Sequence, residues 1–300
     1  MASPQAEAMW KMFRDSPVKQ ADLEIPERRA AGVKAEMATA DPVGIEYVDA
    51  PEVGGFWAVP PAARAGAAML YLYGGGYMLG NPDSRRKTAG HLALATGTRV
   101  LVANYRLAPE NPFPAGLDDV VAAYRWLLTQ DAGGERVVAD RVVLAGDSAG
   151  GGLSIAAMLV LRDAGDPLPG GCVAISPWLD LTLSGKSVSR CAALDVELNE
   201  PGLQELAAWY IGDGDPRAPL ASPVFADASG LPPILCVVGA DEILLDDSVR
   251  ICRNVVRAGG TATLHAVAGM QHAFSIWAGV FPEADASIAF IGGWVRAMVA

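Results

Sequence analysis

The stretch Arg141-Val142-Val143-Leu144-Ala145-Gly146-Asp147-Ser148-Ala149-Gly150-Gly151-Gly152-Leu153 decides the fold. Its opening is a short apolar run, read as a strand over 141–145. From 153 to 162 the pattern turns helical. Between the two lies Gly146-Asp147-Ser148-Ala149-Gly150, a G-x-S-x-G sequence at a strand-to-helix turn. A serine in that position sits on a tight, strained turn, and the flanking glycines leave room for a crossing backbone. The helix N-terminus beyond it favours developing negative charge. The string alone is weak, and an ordinary glycine-rich turn is the competing reading. Its place between strand and helix makes Ser148 the candidate nucleophile.

Working outward, strands are expected at 43–50, 53–59, 67–73, 98–103, 172–175, 234–238 and 261–267. Helices are expected at 84–95, 117–128, 201–210, 248–258 and 284–298. Strands that alternate with helices pair mainly in parallel, because each return crossing needs a helix. The runs Val142-Val143-Leu144 and Ile234-Leu235-Cys236-Val237-Val238 suit a sheet covered on both faces. The expectation is therefore an α/β fold with a mostly parallel central sheet. Residues 183–220 break the alternation, being long, polar-mixed and partly helical. At the N-terminus, Met9, Trp10, Met12 and Phe13 group as an apolar patch, and Pro26-Glu27-Arg28-Arg29 opens a second helical stretch. The organisation read from this is N-terminal cap helices at 1–40, a first part of the core at 41–182, a cap insertion at 183–220 and a second part at 221–300.

Composition narrows the function classes. A chain of 300 residues is ample for a buried core, and 51% hydrophobic with 19% charged residues argues for a folded globule. The formal net charge of −11 disfavours a nucleic-acid partner, which needs clustered Lys and Arg. The apolar run from Leu153 to Leu161 falls well short of the roughly 20 residues a membrane span needs. Met1 to Arg14 carries no secretory pattern, and Cys172, Cys191, Cys236 and Cys252 are dispersed as core thiols would be. A cytoplasmic, reducing location is expected. Neither a metal-ligand spacing nor a cofactor motif appears: Gly185-Lys186-Ser187 mimics the end of a P-loop, but its required earlier glycine is Asp180.

The remaining chemistry follows from Ser148. Tyr73-Gly74-Gly75-Gly76-Tyr77 ends the third strand, where glycines let backbone N–H groups approach an oxyanion closely. A further donor is the N–H of Ala149, next to the nucleophile. The general base must be one of three histidines. His91 precedes Ser148, against the chain order of such sites, and His265 lies inside an expected strand. His272 follows that strand in a loop, where parallel sheets place their sites, and is the candidate base. For the acid that orients it, Asp241 comes first after the strand 234–238 and is preferred, with Glu242 a plausible neighbour. Asp246 and Asp247 are read as first-turn carboxylates of the next helix.

Together these stretches resemble the hormone-sensitive-lipase-like family of serine esterases, the bacterial family IV carboxylesterases of the α/β-hydrolase fold. The resemblance spans roughly 43–299 and rests on Tyr73–Gly76, Asn104-Tyr105-Arg106-Leu107-Ala108-Pro109-Glu110, the elbow Gly146–Gly151, Ser176-Pro177-Trp178, Asp241 and His272. It implies a helical cap, an oxyanion hole from Gly75, Gly76 and Ala149 with Gly74 as support, and no cofactor. It also implies a small-molecule ester or lactone as substrate, with a homodimer through the last strand and helix as one option. The variants Tyr-Gly-Gly-Gly-Tyr and Gly-Ala-Asp-Glu resemble a subgroup of ε-lactone hydrolases and short-chain esterases. Trp10, Phe13, Tyr77, Trp209 and Tyr210 are candidate acyl-pocket residues, with simple cap packing the competing reading. Amide hydrolysis by the same triad, and a non-catalytic binder on the same fold, are the alternatives. Two positions depart from the family pattern: Tyr73 stands where a His is usual and Asn104 where an Asp is usual.

Overall fold

The computed structural model describes residues 2–15, 24–29 and 41–299. The expected N-terminal cap helices at 1–40 therefore fall partly outside the described residues. Within them, α1 spans Pro4–Asp15 and residues 25–29 are helical.

An eight-stranded sheet forms the centre. Its strands are β1 (Glu46–Ala50), β2 (Gly55–Val59), β3 (Ala68–Leu72), β4 (Arg99–Val102), β5 (Val142–Asp147), β6 (Gly171–Ile175), β7 (Ile234–Gly239) and β8 (Ala262–Val267), in the spatial order β1-β2-β4-β3-β5-β6-β7-β8. The first hairpin and the β2–β4 pair are antiparallel, and every other pairing is parallel. The crossovers are α2 (Arg86–Thr96), α3 (Ala115–Leu127), α4 (Ala149–Ala164) and α7 (Leu245–Arg257), and α8 (Pro282–Met298) closes the chain. Two further helices, α5 (Lys186–Arg190) and α6 (Glu200–Ile211), lie in the long connection between β6 and β7. This is the α/β-hydrolase arrangement that the sequence leads one to expect.

The central strands β3, β5, β6 and β7 are buried along their whole length. That burial explains why they read as unbroken apolar runs rather than alternating ones. The edge strand β8 has an exposed Leu264 and His265 stacked on Phe290, with ring centroids 4.2 Å apart. All four cysteines are buried, and none forms a disulfide.

One boundary differs from the sequence reading in a way that matters for the site. Helix α4 starts at Ala149, immediately after Ser148, and not at Leu153. Three successive glycines argue against helix by propensity. Here tertiary contact overrides propensity, because a Cβ on Gly150 would lie 2.7 Å from the Tyr73 carbonyl oxygen and one on Gly152 2.5 Å from that of Trp178.

Candidate active site

Strand β5 pairs with β3 through Leu72↔Gly146 and with β6 through Asp147↔Ile175, so Ser148 emerges at the carboxyl edge of the sheet centre. Its backbone is held at φ 54 and ψ −120, a positive-φ conformation costly for a residue with a side chain. The turn is tight because Gly146 and Gly150 face each other: a Cβ on Gly146 would come within 2.5 Å of the Gly150 carbonyl oxygen. Hydrogen bonds from Ser148 N to Ile175 O (2.8 Å) and from Trp178 N to Ser148 O (3.0 Å) fix the turn against the end of β6. Ser148 is largely buried, and its Oγ has no hydrogen-bond partner among the described residues.

The glycine loop lies on this turn. A Cβ added to Gly74 would collide with the Asp147 carboxylate and sit 3.0 Å from Ser148 Cβ. Among the described residues the N–H groups of Gly75, Gly76 and Ala149 have no acceptor. Ala149 is also the first residue of the 16-residue helix α4, whose N-terminal end carries partial positive charge. Beneath the turn, Asp147 accepts from Arg85 Nε (3.0 Å) and Nη2 (2.6 Å) and from Tyr71 Oη (2.8 Å). Both members of this ion pair are buried. Arg85 and Tyr71 were not read from the sequence as part of the site; nothing in their spacing marks them.

His272 follows β8 in the loop where it is expected and is buried. The carboxylate beside it is Glu242, and not Asp241. Glu242 is fully buried, with Oε1 3.3 Å from His272 Nδ1. Its Oε2 accepts from Ser176 Oγ (2.6 Å) and from Gly239 N (3.0 Å). Asp241 is half-exposed, and its backbone N–H bonds to Met270 O while its carboxylate has no partner among the described residues. The preference for the first acid after the strand fails because the chain is still turning at Asp241. Only one residue later does a side chain point inward. Ser176 also accepts from Ala273 N (3.0 Å), so one hydroxyl ties the carboxylate to the residue after the imidazole.

Burial pulls the His272 imidazole down, but the hydrogen bond and charge of Glu242, with the charges of Glu197 and Asp195, overcome it and push its pKa up to about 9. The segment carrying Glu197 and Asp195 is stitched to the site. Gln271 accepts from Val196 N (3.0 Å) and donates to Leu194 O (3.1 Å), and Asp195 Oδ2 accepts from Ile243 N (2.9 Å). Asp246 and Asp247 open α7 as expected, yet Asp247 does more than favour the helix dipole. It is buried and accepts from Leu179 N and Asp180 N at 2.7 and 3.0 Å. His265 is held by its stack on Phe290, and partial burial lowers its pKa.

The candidate pocket aromatics separate into groups. Tyr77 and Tyr210 are buried and stack at 3.7 Å, with Tyr77 Oη bonded to Trp178 O at 3.1 Å. They join α6 to the glycine loop. Trp10 packs on Phe281 and Phe13 on Trp277, which ties α1 to the segment after His272. Trp209 lies beneath the Arg28 guanidinium. Among the described residues no cluster of His, Cys, Asp and Glu could hold a metal ion, and no helix is long and apolar enough to cross a membrane.

Residues 69–276 match the family model described as alpha/beta hydrolase fold. The chain belongs to the α/β-hydrolase family. Along 99% of its length it is 40% identical to an acetyl-hydrolase of Streptomyces hygroscopicus, covering 97% of that protein. It is 34% identical to an esterase of Acinetobacter venetianus, over 79% of this chain and 77% of that one. A solved esterase of the bacterial hormone-sensitive lipase family superposes with a TM-score of 0.92 at 38% identity, with both chains fully covered. This α/β-hydrolase is thus an esterase of the hormone-sensitive-lipase-like group, a carboxylic-ester hydrolase.

Proposed function

We propose that this esterase hydrolyses short-chain carboxylic esters through an acyl-enzyme on Ser148, with His272 as general base and Glu242 orienting it. The observation that carries the reading is the buried Glu242–His272 pair, fastened through Ser176 to the end of β6 on which the Ser148 turn also rests.

In this reading His272 Nε2 takes the Ser148 proton as Oγ attacks the ester carbonyl. The carbonyl oxygen becomes an oxyanion facing the unpaired N–H groups of Gly75, Gly76 and Ala149, with Gly74 keeping the loop close to the turn. Each preorganised donor of this kind contributes about 3 kcal/mol to the transition state. Glu242 accepts a hydrogen bond from Nδ1–H, which leaves Nε2 as the base, and it stabilises the imidazolium that forms. His272 then protonates the leaving alcohol, and a water activated by the same imidazole releases the acid.

The segment 183–220, with the described part of 1–40, serves as a cap. Support comes from α6, where Leu206 lies over Gly76 and Tyr210 stacks on Tyr77. A ceiling that low over the oxyanion loop favours small acyl groups.

A fluorophosphonate probe tests the nucleophile. It should label the wild-type chain, and Ser148→Ala should abolish both labelling and turnover of p-nitrophenyl acetate. Labelling that persists in the variant overturns the proposal.

A further inference from the structure

We propose that a surface cavity at the amino edge of the sheet, lined by Arg99 and Glu46, is a binding site for a small aliphatic monocarboxylate. It is separate from the Ser148 site and does not depend on the role given to Ser148.

Arg99 opens β4, which runs parallel to β3 as β3 does to β5. Ser148 follows the end of β5, so Arg99 lies at the opposite edge of the sheet. A six-residue strand such as β5 separates the two edges by roughly 20 Å.

The cavity holds about 440 Å³. Strand register brings its two charged residues to one wall. Glu46 pairs with Val59 and Ala58 with Val100, so Glu46, Val59 and Arg99 follow one another across β1, β2 and β4. Residues directly opposite on neighbouring strands share a face, and two strand spacings set the outer pair about 10 Å apart at the backbone. Pro60, Pro61, Ala62 and Ala63 continue the wall. Gly44 closes one end, where a Cβ would lie 3.7 Å from Pro61 Cγ. Main-chain bonds fix the segment that follows: Arg64 N donates to Gly97 O and Gly66 N to Ala132 O, each at 2.8 Å.

Arg99 Nε is buried and has no hydrogen-bond partner among the described residues. Nor does its guanidinium form an ion pair there, although the chain carries 34 acidic residues against 23 basic ones. A buried charged donor without an acceptor is costly, and a ligand oxygen removes that cost. Three other buried side-chain atoms among the described residues lack a partner, Trp10 Nε1, Ser248 Oγ and Trp277 Nε1, and Arg99 is the charged member of the four. A guanidinium presents a planar fork that matches the two oxygens of a carboxylate. Glu46 makes no ion pair among the described residues either, and Arg99 is the one cation in the lining. One positive and one negative group suit a ligand with a single negative charge and disfavour a dianion. The short apolar side chains of Val59, the prolines and the alanines suit a short aliphatic tail. Carboxylic-ester hydrolysis releases molecules of this class.

Isothermal titration of the full chain with butyrate, and separately with inorganic phosphate, tests the site. At about pH 8, where phosphate is mainly a dianion, butyrate should bind at least about tenfold tighter than phosphate. Arg99→Leu should weaken butyrate at least about tenfold. Its turnover of p-nitrophenyl acetate without butyrate should stay within about twofold of wild type, because Arg99 is remote from Ser148. Glu46→Gln, at an exposed position, removes the repelling charge, so phosphate should gain at least about threefold on butyrate. Equal butyrate affinity in wild type and Arg99→Leu would place the binding elsewhere and overturn the site. So would the absence of any butyrate binding below about 50 mM. A butyrate-to-phosphate ratio that Glu46→Gln leaves unmoved would overturn the ligand class.

Discussion

Glu242 Oε1 stands 3.3 Å from His272 Nδ1, and the other oxygen of the same carboxylate is held by Ser176 Oγ and Gly239 N. With both oxygens committed, the carboxylate has no freedom to rotate away from the imidazole. A buried acid fixed in this way selects the tautomer with the proton on Nδ1, which leaves the Nε2 lone pair free.

Removing that charge separates the two neighbouring acids. Glu242→Gln should lower kcat for p-nitrophenyl acetate by on the order of 10³ to 10⁴, because the amide favours the wrong tautomer and leaves the imidazolium unsupported. Asp241→Asn should change kcat by less than about threefold, since its carboxylate touches nothing in the site. Steady-state kinetics on the two purified variants decide the matter, and a larger loss in Asp241→Asn would return the orienting role to that residue.

The pH profile follows from the sign of the His272 shift. The base must be neutral, and carboxylates around it raise its pKa to about 9. In the free enzyme kcat/KM should therefore climb with pH and level off only above about 9. Glu197→Gln removes one of the charges that hold the proton on, so the midpoint should move to lower pH. Profiles of wild type and variant measured from about pH 6 to about pH 10.5, which spans the ordinary and the raised His value, check this; an upward move or none would contradict it.

How much of this was legible in the sequence can be argued residue by residue. The place of Ser148 between strand and helix was, because a strand, a G-x-S-x-G turn and a helix form one local unit whose geometry the spacing dictates. The loop position of His272 was, because the alternation that marks the strand over 261–267 stops before it. Glu242 was not chosen, because which of two adjacent acids faces inward depends on how the chain turns after β7, and alternation along a strand stops applying at the strand's end. The start of α4 was misplaced because local propensity and close packing pull Gly150 and Gly152 in opposite directions. Arg85, Tyr71 and Gln271 leave no local trace at all: their partners are Asp147 and the 194–196 segment, distant in the chain and adjacent only in the fold.

The Arg85–Asp147 pair yields a stability prediction. Both side chains are buried, so deleting one breaks a buried, hydrogen-bonded ion pair beneath the Ser148 turn. Asp147→Ala should destabilise the fold by about 3–5 kcal/mol. The Arg106–Asp119 pair, also held by several hydrogen bonds but on the exposed surface, should be far less costly to break. Urea unfolding followed by tryptophan fluorescence compares Asp147→Ala with Asp119→Ala. Equal losses would refute the assignment of the buried pair as the stronger element.

Acyl-chain selectivity provides the last test. A Cβ on Gly76 would lie 2.5 Å from Leu206 Cδ1, with Leu206 Cγ and Cδ2 at 3.3 and 3.4 Å, so the whole isobutyl group covers the oxyanion loop. Leu206 is only partly buried, packed at the margin of the core. Trimming it removes apolar volume where an acyl chain would extend, and the space gained can be filled by substrate methylenes at about 0.8 kcal/mol each. Leu206→Ala should therefore raise kcat/KM for p-nitrophenyl hexanoate relative to acetate by roughly 4–10-fold. Leu206→Trp should move the ratio the opposite way. The stack of Tyr210 on Tyr77 keeps α6 in place in both variants, so the change reads the ceiling and not a displaced helix. A chain-length series from acetate to octanoate that keeps its wild-type shape in both variants would show that another surface limits the acyl group.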